Sequence, residues 1–284
     1  MANVAIVTDT TACIPSELVR KYQIEVIPID VVIDGKVYPD NELELGRFYR
    51  MLKESPLTAK TIGSVPGPYI EAFSRLASRT DQILCITEPV RFSGMFNAAQ
   101  LAAMQVLEKQ KNLCIKVIPC ETAAAGLGLV VLEAARQAEA GKSLNNLVAQ
   151  VNTLMQRVYL YATLDTFDYL IRGGRIPKIA ALADSVLQIK PVFTLRNGDA
   201  QTIALPRTAE KALQNILDLM TEHVKGKGKL TAAVMHADAL ERAHNLEQSI
   251  KGKYPQAEIL LMEFTPVMGV HTGPGVVGIA FYED

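Results

Sequence analysis

Val270-His271-Thr272-Gly273-Pro274-Gly275, followed at once by the apolar run Val276-Val277-Gly278-Ile279-Ala280-Phe281-Tyr282, decides which kind of α/β protein this chain forms. Taken alone, the six residues from Gly273 to Gly278 fit the dinucleotide pattern G-x-G-x-x-G. That pattern works only where the glycines follow a strand and open a helix, whose N-terminus then holds the pyrophosphate. Here a strand-like run follows the glycines where a helix is required, so a dinucleotide fold is set aside. The stretch reads instead as a ligand loop ahead of a buried strand. Glycine lets the backbone approach a bound group closely, proline fixes the turn, and His271 supplies a titratable ring.

Upstream of that loop the pattern predicts a hairpin about Asn197-Gly198, a helix over 208–223, and strands at 158–163, 230–236, 257–263 and 276–282. A further helix is expected over 238–250. Hairpins mixed with helices predict a mixed sheet with helices on one side. The first half has a different rhythm. Strands at 4–8, 82–87 and 113–118 alternate with helices over 94–109, 125–139 and 143–156, and Asp34-Gly35 marks a hairpin inside an extended segment. A helix from Pro15 through Tyr22, another over 42–54, a polar loop from Thr61 to Pro68 and a helix over 68–79 complete it. This alternation predicts a mainly parallel sheet covered on both faces, a three-layer α/β/α domain. The expected division is 1–156 and 157–284. Ligands of such sheets bind beyond the C-terminal ends of strands, so Asp9 with Thr10 and Thr11, and the loop before Ser93-Gly94, are expected to line one crevice.

Composition removes several functions. Lys plus Arg total 29 against 30 Asp plus Glu, which leaves no electrostatic footprint for nucleic acid. No apolar run approaches the eighteen or so residues that a membrane span needs, which leaves only transient membrane contact open. The N-terminal segment lacks a basic region ahead of a cleavable apolar core, so no signal peptide is expected. Cys13, Cys85, Cys114 and Cys120 form no C-x-x-C pair and lie in or beside apolar runs, so they are expected to be reduced and buried, as in a cytoplasmic protein.

Ser93, His271 and Asp9 could compose a hydrolase or acyl-transferase triad on paper. Ser93, however, sits in Arg91-Phe92-Ser93-Gly94-Met95 and not in the G-x-S-x-G elbow. His236, Asp238 and His244 lack the spacing of a metal site, and His223, His236 and His244 read as surface or helix-end residues. No phosphate-binding loop or kinase signature is present, and no cofactor is expected. What remains is a set of hydroxyls, glycine-associated amides and one imidazole, an inventory suited to holding a carboxylate.

Five segments, in order, resemble the DegV family, which includes the fatty-acid-binding subunits of bacterial fatty acid kinase. Val7-Thr8-Asp9-Thr10-Thr11 is similar to the family's Ser/Thr-Asp-Ser/Thr strand end, and Lys60-Thr61 opens a loop whose family form is T-S-Q-P-S. Phe92-Ser93-Gly94 with Ala99 is similar to the S-G-T-x-x-x-A segment. Thr163-Leu164 through Gly173-Gly174-Arg175-Ile176 is similar to T-L-x-x-L-x-x-G-G-R-I, and His271-Thr272-Gly273-Pro274-Gly275 to H-x-G-P-G. The resemblance implies two α/β domains with one fatty acid between them. Its carboxyl group would be held by Thr61, Ser93 and His271, with Gly94, Gly273 and Gly275 shaping the loops. It also implies a chain that is not itself the catalyst and a separate ATP-dependent kinase that phosphorylates the presented carboxylate. Arg172 and Arg175 become either docking contacts or residues that order the Gly-Gly turn. A regulatory lipid-binding module is the other use of such a pocket. The chain departs from the family pattern twice. Ile62-Gly63-Ser64-Val65-Pro66 stands in place of Ser-Gln-Pro-Ser, and Met95 in place of a threonine. Both changes are expected to make the head-group surroundings more apolar.

Overall fold

β1 (Ala5–Asp9), β2 (Glu25–Ile27), β6 (Gln82–Thr87) and β7 (Cys114–Pro119) form a parallel sheet in the order β2-β1-β6-β7. The computed structural model describes residues 4–54, 59–174 and 189–284. Ile83, Leu84, Cys85 and Ile86 are all fully buried, as expected of a parallel strand covered on both faces. Helices α3 (Gly67–Leu76) and α4 (Met95–Lys109) pack together on this sheet, as do α5 (Ala125–Glu139) and α6 (Leu144–Met155), while α1 (Ser16–Tyr22) rests on α5.

A small antiparallel sheet, β4-β3-β5, stands beside it, built from β3 (Asp30–Ile33), β4 (Lys36–Pro39) and β5 (Lys60–Ile62). The β3–β4 turn is Asp34-Gly35, both at positive φ, as its sequence predicts. β5 corrects the reading of 61–68 as loop throughout. Three residues carry no periodicity, and their order comes from pairing Asp30 with Ile62 and Val31 with Thr61.

The second sheet has the order β10-β9-β8-β13-β11-β12, from β8 (Tyr159–Thr163), β9 (Val192–Arg196), β10 (Asp199–Ala204), β11 (Leu230–His236), β12 (Glu258–Glu263) and β13 (Val277–Glu283). Only β11 and β12 pair in parallel, so the sheet is mixed, as expected. Period-two alternation splits its residues between two cores. Leu160, Ala162, Ala233 and Met235 join the core shared with the first half. Tyr161, Val234, Ile279 and Phe281 instead pack with α8 (Ala209–His223) and α9 (Leu240–Lys253). Thr208 caps α8 by accepting from the Lys211 amide, and Ala212, Ile216 and Met220 give it a buried stripe at helical spacing.

Helices were expected on one side of this second sheet; α5 closes the other. Residues 125–132 of that helix are all buried, so it is apolar all round and suits an interior position. It packs on β1 and also on β8, β11 and β13. The short helices α7 (Asp168–Gly173) and α10 (Pro266–Thr272) then frame the space between the sheets. Two local expectations also change. His236 is buried inside β11, and Cys114, at the start of β7, is exposed, while Cys13, Cys85 and Cys120 are buried as expected. No described helix is long and apolar enough to cross a membrane.

Candidate ligand-binding site

The sequence pattern places His271 in a loop, but it occupies the last turn of α10. Pro266 opens that helix, where its missing N–H costs nothing, and Gly273 stops it. The helix is pinned to the first half of the chain. The Thr265 hydroxyl donates to the Thr10 carbonyl (3.1 Å), and Tyr49, in α2 (Leu45–Glu54), donates to the Phe264 carbonyl (3.3 Å). Gly269 has no Cβ because the Phe48 ring occupies that space. So held, α10 delivers His271 Nε2 to within 2.9 Å of Thr61 Oγ1 on β5.

The glycines after His271 shape the backbone and do not line the cavity. Gly273 (φ 72°) and Gly275 (φ 93°) sit where a side chain would overlap the Tyr169 ring and the Asp165 carboxylate, respectively. The Gly275 amide donates to the Ala237 carbonyl at 2.7 Å. Arg242 donates to the Gly275 carbonyl and forks onto both Asp165 carboxylate oxygens, and Lys190 donates to Oδ1 and to the Asp165 backbone carbonyl. Burial raises the Asp165 pKa, but the Arg242 and Lys190 bonds outweigh it and leave the carboxyl below its ordinary range.

Ser93 and Gly94 do line the cavity, at the N-terminus of α4. The Met95 amide donates to Ser93 Oγ (3.2 Å), and Ser64 Oγ lies 3.3 Å from the same atom. Together with Thr61 and His271 these residues form the polar end of a cavity between the two sheets. Its other walls are mainly apolar, with Leu160, Phe193, Leu195, Met235 and Phe264 among them. It holds about 1070 Å³ of atom-free space, open solvent at its mouth included.

Asp9 lies behind this wall. It is fully buried, accepts from the Thr11 amide and hydroxyl and from the Glu88 amide, and burial pushes its pKa up. Thr11 and Glu88 themselves line the cavity. The expected crevice therefore exists, but Asp9 supports it from behind, through its neighbours. The paper triad is not assembled. His271 Nε2 meets Thr61, Ser93 Oγ meets Met95 and Ser64, and Asp9 is engaged by Thr11 and Glu88. Arg172 lies over the Tyr169 ring at 4.7 Å and donates to the Asp168 carbonyl (3.1 Å). Arg175 lies outside the described residues. Among the described residues no cluster could hold a metal ion.

Thr11 and Glu88 come from the two segments expected to line the crevice, whereas sequence reasoning missed Ser64. The signal for Ser64 was present in Gly63-Ser64, a permissive residue followed by a hydroxyl, inside a segment read only as a departure.

The model of the DegV family of uncharacterised proteins matches residues 3–284. A DegV domain-containing protein of Caldanaerobacter subterraneus subsp. tengcongensis is 30% identical over 284 residues, covering 100% of both chains. The fatty-acid-binding DegV family protein of Thermus thermophilus superposes with a TM-score of 0.92 at 25% identity, over 99% of this chain and 100% of that one. DegV of Bacillus subtilis, a fatty acid binding protein, gives 0.88 at 28% identity over 100% of both.

Proposed function

The chain belongs to the DegV family, and from that footing we propose that it binds one long-chain fatty acid between its two sheets, with the carboxylate at Thr61, Ser93 and His271. The observation that carries this reading is an apolar cavity with a single end where an imidazole, hydroxyls and a helix N-terminus converge. A carboxylate withdrawn from bulk water requires hydrogen bonds. For Thr61 to donate its one proton to the ligand, His271 Nε2 must carry a proton and donate to Thr61. The Met95 amide already donates to Ser93 Oγ, which leaves the Ser93 proton free to turn toward an anion. The N-terminus of the fifteen-residue α4 adds a favourable partial charge beneath it. The fatty-acid-binding relatives of T. thermophilus and B. subtilis support the same ligand class.

The tail requires only a dry channel. At about 0.8 kcal/mol per methylene, a tail of about fifteen contributes roughly 12 kcal/mol before ordering and association costs. The ligand is therefore expected to survive purification.

The finer reading is a cytoplasmic carrier that presents its carboxylate to a separate ATP-dependent kinase for acyl phosphate formation. Ser64 is exposed and Thr61 and Ser93 are half-buried, so the polar end lies near solvent, where a partner could reach it. Denaturing mass spectrometry of the purified protein tests the first part. About one long-chain fatty acid per chain is expected, and a lipid-free preparation that also refuses added palmitate would overturn it. Acyl phosphate formed from the loaded protein only when a kinase and ATP are added would support the second part.

A further inference from the structure

We infer that Ser64 is a further residue of the head-group site, one that holds Ser93 so that its single proton is directed at the bound carboxylate. The inference rests on the fatty-acid reading above. Ser64 arises from the segment in which the chain departs from its family's pattern, and the local backbone explains how it reaches the site. Gly63 takes φ +121°, a conformation that side-chain-bearing residues rarely adopt. The Val65 amide then donates to the Gly63 carbonyl at 2.7 Å, closing a three-residue turn with Ser64 at its tip. That tip packs on the N-terminus of α4. A Cβ added to Gly94 would lie 3.1 Å from Ser64 Cβ, so the glycine there leaves the room that Ser64 fills.

The consequence follows from counting protons. A serine hydroxyl has one proton and two lone pairs. Ser93 Oγ accepts from the Met95 amide, and its other neighbour is Ser64 Oγ at 3.3 Å. With no ligand, either serine can donate to the other. Once the Ser93 proton goes to a carboxylate, Ser93 can only accept from Ser64, so Ser64 becomes the donor. The anion, Ser93 and Ser64 then form one directed chain, in which each bond polarises the next. The 3.3 Å separation exceeds the usual 2.7–2.8 Å for paired hydroxyls, and the pair is expected to shorten as the anion draws on Ser93. A hydroxyl lost from one side of the loop is thus supplied from another position.

The test compares palmitate with hexadecan-1-ol, which has the same tail and no charge. Ser64→Ala is expected to weaken palmitate binding about three- to tenfold, the range for a single hydrogen bond, and to weaken hexadecan-1-ol binding less, because an uncharged hydroxyl draws on Ser93 less strongly than a carboxylate. In a Ser93→Ala background the same substitution should cost nothing further, because the group it orients is gone. An equal loss for both ligands, no loss for palmitate, or an undiminished loss in the Ser93→Ala background would each overturn the role. A wild-type chain that takes up no palmitate would instead overturn the fatty-acid reading itself; normal wild-type uptake with an unaffected Ser64→Ala variant would remove only Ser64.

Discussion

Thr61 and His271, 210 positions apart in the chain, meet side chain to side chain at 2.9 Å. One comes from a three-residue strand and the other from the last turn of a seven-residue helix. Neither element is stable alone in water. β5 is ordered by pairing with β3 and α10 by packing on the first half of the chain, so the polar end of the cavity forms only when both halves have folded. The contact also fixes a direction, because Thr61 can donate to a ligand only while the imidazole donates to it.

That direction gives the first prediction. His271→Ala and Thr61→Val are each expected to weaken palmitate binding, His271→Ala by about 10- to 100-fold, the range for hydrogen bonds to a charged group. The double variant should be little worse than the poorer single one, because both remove the same donor chain. Isothermal titration of the four proteins checks this. Fully additive losses would mean that the two side chains act separately. The variants should still unfold cooperatively, since neither residue belongs to the apolar core.

Gly273 tests the backbone behind that contact. Its φ of 72° with ψ of 174° belongs to a region almost restricted to glycine, and a Cβ would overlap the Tyr169 ring. Gly273→Ala is expected to destabilise the fold by about 2–5 kcal/mol, combining backbone strain with overpacking. Gly141 also has positive φ, but a Cβ there meets nothing within 4 Å. Gly141→Ala should therefore cost only about 1–2 kcal/mol. Equal losses for the two variants in urea denaturation would remove Tyr169 from the explanation.

The contrast between strong and weak local signals explains what was legible in the sequence. Long periodic elements such as β11, α8 and α5, and the two turns at Asp34-Gly35 and Asn197-Gly198, carry their own instructions and appear where expected. β5 and α10 do not, because each is too short to show a period and exists through tertiary pairing. These two elements carry Thr61 and His271. His271 stands out in the sequence itself and Thr61 only through the family resemblance, while their 2.9 Å contact depends on elements that local sequence does not specify. Ser64 was hidden for a related reason. The segment could be compared with a motif it lacks, but the turn that turns Ser64 toward Ser93 depends on Gly63 adopting one backbone conformation among several.

Asp40 gives the fold a dependence on pH. It is 3% exposed, and burial raises its pKa to about 7 despite the hydrogen bond from the Ile29 amide, with the nearby Asp9 pushing the same way. Unfolded, it titrates near 4. The folded state therefore binds the proton more tightly, so this contribution is fully present below about pH 4 and is lost as pH rises through 7. The slope approaches 1.4 kcal/mol per pH unit at most. Asp40→Asn removes the titration, so the stability difference between wild type and variant should shift against the wild type from pH 5 to pH 8. A difference that is flat across that range would contradict the burial of a titrating carboxyl there.

Ala124 offers a test at the cavity wall itself. It lines the cavity at the N-terminus of α5 with φ 49° and ψ −131°, a backbone conformation that glycine adopts far more readily than alanine. The strain costs on the order of 1–3 kcal/mol, and it is sustained because α5 is packed between the two sheets and cannot turn to relieve it. Ala124→Gly removes that strain at the expense of a looser unfolded chain, a smaller opposing effect of about 0.4–1 kcal/mol. A net gain of up to about 2 kcal/mol is therefore expected in chemical denaturation. Palmitate affinity should change little, since the substitution removes one methyl group from a mainly apolar wall. A net loss of stability would show that the Ala124 methyl contributes more through packing than its backbone costs.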